Sequence, residues 1–127
     1  MAREEEKEFA AYVVDLLQTV GPCYSKGMFG GFGIFLEGLM FALVADNVLY
    51  LKVDDDNRAE FLELGLQAFS YEKEGKSMNL SYFQAPEEAM ESSDVMQLWG
   101  SSAYSAAMRA AASKGGTRKK KAKVKKE

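Results

Sequence analysis

Apolar positions in the first twenty residues recur at helical spacing. Phe9, Tyr12, Val13, Leu16, Leu17 and Val20 fall at i, i+3, i+4 and i+7, which gathers them on one stripe and predicts an amphipathic helix over residues 3–20. Glu4, Glu5, Glu6 and Glu8 crowd its start, where negative charge complements the helix dipole, and Gly21-Pro22 stops it. The period then changes to two. Short runs rich in Phe, Leu, Ile, Val and Tyr predict strands over residues 24–29, 32–37, 39–45 and 48–53, divided by Gly30-Gly31, Glu37-Gly38 and Asp46-Asn47. Asp46-Asn47 is the firmest of these turn signals, because both residues tolerate positive φ.

Beyond the strands, Asp55 or Asp56 is placed to cap a short second helix whose body holds Arg58, Phe61 and Leu62 and whose stop is Gly65. Phe69 and Tyr71 against Met78, Leu80 and Tyr82 predict a second hairpin turning at Glu74-Gly75. Pro86 opens a helical turn. Ser92 or Ser93 caps a last helix with the apolar set Val95, Leu98, Trp99, Ala103, Ala106, Ala107 and Ala110. The order is α, four strands, α, two strands, α. Segregated strands with tight turns imply an α+β fold: two layers, a mainly antiparallel sheet covered by helices.

Composition sharpens this picture. At 47% hydrophobic and 12% aromatic, 127 residues suit a single domain with one core. No apolar run approaches the ~18 residues of a membrane span, and the acid-rich start lacks a secretory h-region. The lone Cys23 cannot form an internal disulfide, which with those features points to a reducing, cytoplasmic setting. There is no histidine, so Ser-His-Asp and Cys-His catalysis and imidazole-ligated metals are excluded.

Charge divides the chain. Residues 1–113 carry 8 basic and 18 acidic side chains, a net −10, whereas residues 114–127 carry 8 basic and one acidic, a net +7. The sequence therefore reads as a domain over 1–113 and a disordered basic tail over 114–127. Lys114, Arg118, Lys119, Lys120, Lys121, Lys123, Lys125 and Lys126 are the candidate nucleic-acid contacts, acting on phosphates by counterion release without reading sequence.

Several blocks of the chain resemble a known family. Met28-Phe29-Gly30-Gly31-Phe32-Gly33-Ile34-Phe35 is similar to its MFGG-x-GI-aromatic signature, and Met40-Phe41-Ala42-Leu43 and Leu49-Tyr50-Leu51-Lys52-Val53-Asp54 follow its MFAL and LYLK-x-D blocks. Arg58 with Phe61, Phe69 with Tyr71, Gly75-Lys76, Tyr82-Phe83, Pro86-Glu87-Glu88 and Trp99 match in order. It departs at Lys26-Gly27, where an Arg is usual, and at Ala68, where Pro is common. The resemblance is to the TfoX/Sxy N-terminal domain, over roughly residues 9–110, and in a standalone form. It implies a two-layer fold and a regulatory, non-enzymatic role in DNA-uptake competence through contacts with a protein partner, with no catalytic residue to carry over. Signature residues Met28, Phe29, Gly30, Gly31, Gly33, Leu49, Tyr50, Lys52, Arg58 and Trp99 are expected to be structural. A homodimer stays open, and a weak DNA- or RNA-binding accessory using the tail is the second functional expectation.

Other motifs yield to plainer readings. Gly30-Gly31-x-Gly33 is followed by a strand pattern, not a helix, so a turn explains it better than a phosphate loop. Asp54-Asp55-Asp56-Asn57 lacks the Gly and Glu of an EF-hand, having Ala59 and Gly65 in those positions, and is expected to be a helix entry; no metal or other cofactor is expected. Cys23 has no general base or resolving cysteine and is expected to be a partly buried thiol. Glu72/Glu74 and Glu87/Glu88 flank turns and helix starts, where solvated acids are ordinary, so no catalytic pair is assigned. One open alternative is a mixed aromatic and cationic sheet surface, since Tyr50 and Lys52 share a strand face, as do Tyr71 and Lys73.

Overall fold

Alternating apolar residues in six strands produce one antiparallel sheet with two unlike faces. The computed structural model describes the backbone of residues 2–28, 30–73 and 76–123, and the side chains within 4–28, 30–70 and 81–113. Helix α1 (Ala2–Leu17) is followed by β1 (Cys23–Met28), β2 (Gly31–Leu36), β3 (Leu39–Ala45) and β4 (Val48–Lys52). Then come α2 (Arg58–Glu63), β5 (Ala68–Lys73), β6 (Lys76–Gln84), a 3-10 turn (Glu87–Met90) and α3 (Ser93–Lys123). The strands lie in the order β1-β2-β3-β4-β6-β5, and every neighbouring pair is antiparallel. The two-layer α+β expectation holds.

The turns form for local reasons. Asp46 and Asn47 sit at φ 52° and 61°, the paired positive values of a type I′ hairpin, whose twist matches that of the strands. At the end of α2, Gly65 has φ 72° and the Leu66 N–H reaches the Phe61 carbonyl while the Gly65 N–H reaches that of Leu62, the Schellman arrangement. The Glu74-Gly75 turn expected between β5 and β6 lies outside the described residues.

Both long helices pack on one face of the sheet. Val13 and Leu17 from α1 and Met96, Ala103 and Ala107 from α3 close over Ile34, Phe41, Val44, Leu49, Leu51 and Val53, all at most 5% exposed. The helices nearly touch: a Cβ on Gly100 would lie 2.7 Å from Leu17 Cδ2 and 2.9 Å from Val20 Cγ2. Tyr12 and Leu98, expected in the apolar stripes, are instead 47% and 72% exposed. Tyr12 leaves the core because its hydroxyl donates to the Met90 carbonyl across the molecule, at 2.5 Å. α1 also ends at Leu17, and residues 18–20 close a tighter turn through i→i−3 bonds.

The helix entry and the tail differ from expectation. Neither Asp55 nor Asp56 caps α2; its N-cap is Asn57, with no side-chain cap bond, because that side chain is turned inward. Ser92 rather than Ser93 serves α3, accepting the Val95 N–H at 3.3 Å. The backbone of α3 runs ten residues past Ser113, where the apolar pattern ends and a structureless tail was expected. Side chains from Lys114 onward and residues 124–127 lie outside the described residues, so the proposed phosphate contacts do too.

Candidate functional site

The face of the sheet without helices is built by the alternate residues of the same strands. Leu49 and Leu51 point into the helical layer, so Tyr50 and Lys52 between them point away from it. Leu43, Phe69 and Tyr82 form a second buried cluster there, with Met40, Ala45 and Tyr50 against it. Tyr50 meets Phe69 edge-on at 4.8 Å, and Lys52 Nζ lies 5.2 Å from the centre of the Tyr82 ring. Tyr82 donates its hydroxyl to the Met40 carbonyl at 3.2 Å, and burial pushes its pKa up to about 12. Toward the β1 edge, Tyr24 and Phe35 stack at 5.7 Å and Lys26 Nζ lies 5.5 Å over Phe35. Aromatic rings flanked by two lysines thus run across this face.

The glycines of the signature set the shape of that surface. Gly31 passes so close to β3 that a Cβ would stand 2.1 Å from the Val44 carbonyl oxygen. Gly33 leaves a hollow that the Met28 and Met40 sulfurs and the edge of Phe35 fill; a Cβ there would lie 2.8, 2.9 and 3.1 Å from them. Gly31 opens a strand and no helix follows, so these residues are a turn and a close strand pairing, as expected. Gly30 carries φ 74°, and Phe29 lies outside the described residues.

A polar tether joins the end of β4 to α3. Asn57, 5% exposed, accepts the Asp54 N–H at 2.8 Å and donates to the Lys52 carbonyl and the Ser102 hydroxyl at 3.2 and 3.1 Å. Asp54 in turn accepts the N–H groups of Asp56 and Asn57 and takes Arg109 on both oxygens, at 2.6 and 2.9 Å. The Arg109 bond, helped by these backbone N–H groups, holds the Asp54 carboxyl below its ordinary pKa against a smaller opposing effect of desolvation. Arg109 also reaches Asp56 at 3.1 Å, while Asp55 pairs with Arg58 at 2.6 Å. The acid run therefore belongs to the fold: its charges meet two arginines and its turn. Sequence reading missed Arg109 and Ser102, since nothing local marks a partner 45 or 55 residues away.

Two further signature residues pack inside the fold. Leu49 is core, and Trp99 packs edge-on against Phe61 at 5.0 Å. Cys23 is 8% exposed; Gln18 Nε2 donates to its carbonyl at 3.0 Å and approaches its sulfur at 3.5 Å, and burial raises the thiol pKa. An open cleft of about 640 Å³ between α1, the β3–β4 turn and the 3-10 turn has Phe9, Leu49, Leu66 and Met90 in its walls, with Glu87 and Glu91 beside them. Among the described residues, no helix is long and apolar enough to cross a membrane.

The family model described as TfoX N-terminal domain matches residues 15–107. The chain belongs to that family. A curated relative, "DNA transformation protein TfoX1" of Aliivibrio fischeri (strain ATCC 700601 / ES114), is 33% identical over 87 residues, which cover 68% of this chain and 39% of the relative. The chain thus aligns with well under half of that protein. In structural terms the TfoX N-terminal match takes in all six strands and α3 as far as Ala107, and leaves Arg109 and the basic segment beyond it.

Proposed function

We propose that this protein is a non-enzymatic regulatory module of DNA-uptake competence that acts by contacting another protein. The observation that carries the reading is the family match over the folded unit, together with a relative whose name is DNA transformation protein. The chemistry of the chain supports it. The sequence has no histidine for imidazole chemistry, and the acid run Asp54–Asp56 is engaged by Arg58 and Arg109. The ringed face of the sheet offers Tyr24, Phe35 and Tyr50, aromatic area of the kind enriched at protein-contact surfaces, beside Lys26 and Lys52.

The deciding experiment is transformation frequency in a naturally competent host. The full chain and a variant with Tyr24 and Lys26 replaced by Ala and Glu are each produced at matched levels. The expected result is a change in frequency with the full chain that the double variant loses. An unchanged frequency with the full chain would count against the competence role, and equal effects from the two chains would count against this face as the contact surface.

A second reading rests on the charge separation between the −10 body and the +7 segment after Ser113. In it, the basic stretch binds DNA or RNA weakly and without sequence preference. The acidic body limits such binding, because it repels the same polyanion.

A further inference from the structure

We infer that the outer edge of β1 pairs with β1 of a second copy of this chain, antiparallel about a two-fold axis at Ser25. This goes beyond the regulatory reading and does not depend on it. Among the described residues, β1 is the end strand of the sheet and pairs only with β2. In an antiparallel ladder, alternate residues turn both backbone groups toward the neighbour and the others turn both away. The Cys23 carbonyl is taken by the Gln18 side chain, so Cys23 belongs to the outward set, and the unbroken register from Cys23↔Leu36 to Met28↔Gly31 puts Ser25 and Gly27 in that set too. Residues 24–27 are exposed. The edge therefore presents outward N–H and C=O groups at Ser25 and Gly27, a template for strand addition.

A lysine on an edge strand commonly prevents such pairing. Lys26 is not arranged for that: its ammonium lies 5.5 Å over the Phe35 ring, laid back across the sheet instead of reaching past the edge. The register follows from what each choice would oppose. Residues directly opposite one another share a face. Centring the axis on Lys26 would set two like charges against each other. Centring it on Tyr24 would make both exchanges flanking the axis, Cys23 with Ser25, depend on the Cys23 carbonyl that Gln18 already engages; with Ser25 at the axis Cys23 is met only at the ends of the ladder, opposite Gly27. Centring it on Ser25 lets the two Ser25 residues exchange both backbone bonds, and it sets Tyr24 opposite Lys26 of the second copy. The Tyr24 ring, 47% exposed in the single chain, then gains the aliphatic stem of that lysine, whose ammonium stays over its own Phe35, on each side of the axis. The symmetry is closed, so the edge is consumed without growth into a fibre.

Two measurements test the pairing. Sedimentation of the full chain is expected to give twice the chain mass, falling to the single mass in Ser25→Pro, which removes the outward N–H at the axis while sparing the ladder to β2. In a Cys23→Ser background, Ser25→Cys is expected to oxidise to a covalent dimer about tenfold or more faster than Leu62→Cys, an exposed control. Across the axis the two Cα atoms would stand about 5.5 Å apart, within disulfide reach. A single-mass full chain overturns the inference, as does a Ser25→Cys chain that couples no faster than the control. If Ser25→Pro fails to fold, the cysteine comparison decides by itself; if it folds and keeps the double mass, the axis is elsewhere and the inference fails.

Discussion

At the scale of single residues, the glycine signature separates into two physical demands. Gly30 is required by its backbone angle, since nothing stands within 4 Å of a Cβ there, whereas Gly31 is required by contact with the backbone of β3. Different costs follow. Gly30→Ala should destabilise by about 1 kcal/mol, the ordinary penalty of a left-handed non-glycine residue. Gly31→Ala must push β2 off β3 or distort the Val44 peptide, and should cost about 2–3 kcal/mol. Urea unfolding of the two variants checks this; equal losses would mean that strand separation is not what Gly31 protects. The residue types of this turn were legible because Gly-Gly between apolar runs has a strong local meaning. Which glycine is sterically trapped was not, since Val44 becomes its neighbour only through strand pairing.

Among the elements, α3 is fixed to the sheet by apolar contacts near Ala103 and by the Asp54–Arg109 pair six residues on. The folded-state pKa of Asp54 is depressed below its unfolded value of 3.8, chiefly by Arg109. A depressed carboxylate contributes stability that is fully present above the unfolded pKa and lost as pH falls through the folded pKa. Stability should therefore decline on acidification below about pH 4. Arg109→Met should flatten the part of that decline due to Asp54, while changing stability little in acid, where the carboxylate is protonated in both chains. Urea midpoints at pH 6 and at pH 2.5 decide it, and parallel pH profiles would show that Arg109 does not set the Asp54 titration. Both charges are part-exposed, so the effect is modest and weakens with salt. The strand–helix order, the turns after β1, β2 and β3 and the stop of α2 were readable from period and turn residues. The cap of α2 was misassigned because Asn57 satisfies Ser102 from the third helix, a demand no local pattern reveals.

For the whole molecule, charge is laid out in two parts: an acidic body and a basic stretch carried at the end of α3. If five of its eight cations engage phosphates, the log–log slope of affinity against salt should be about −4.5, and Lys-to-Gln and Arg-to-Gln replacement of all eight should abolish binding and slope together. Filter binding of single- and double-stranded DNA over a salt series measures both. An unaltered affinity after replacement would remove the basic stretch from any role in nucleic-acid binding. The sheet as a whole also explains why the aromatic and cationic face was only glimpsed from sequence. Tyr50 and Lys52 were visible as alternate residues of one strand, but Tyr24, Phe35, Phe69 and Tyr82 join them only across strand pairs.

What the sequence by itself determined were the features that local physics dictates: the periods of helix and strand, the positive-φ turns, the absence of imidazole chemistry and the split of charge. Backbone sterics, side-chain alternation and residue chemistry act within a few positions, so they can be read directly. Only the tertiary structure decided that Asn57 faces inward, that Arg109 answers Asp54, that Tyr12 and Leu98 stay exposed, and that β1 is left at an edge. Each of these depends on which distant segments become neighbours. That is set by how the sheet and its helices bury their apolar faces together, a global optimum that no single stretch of chain encodes.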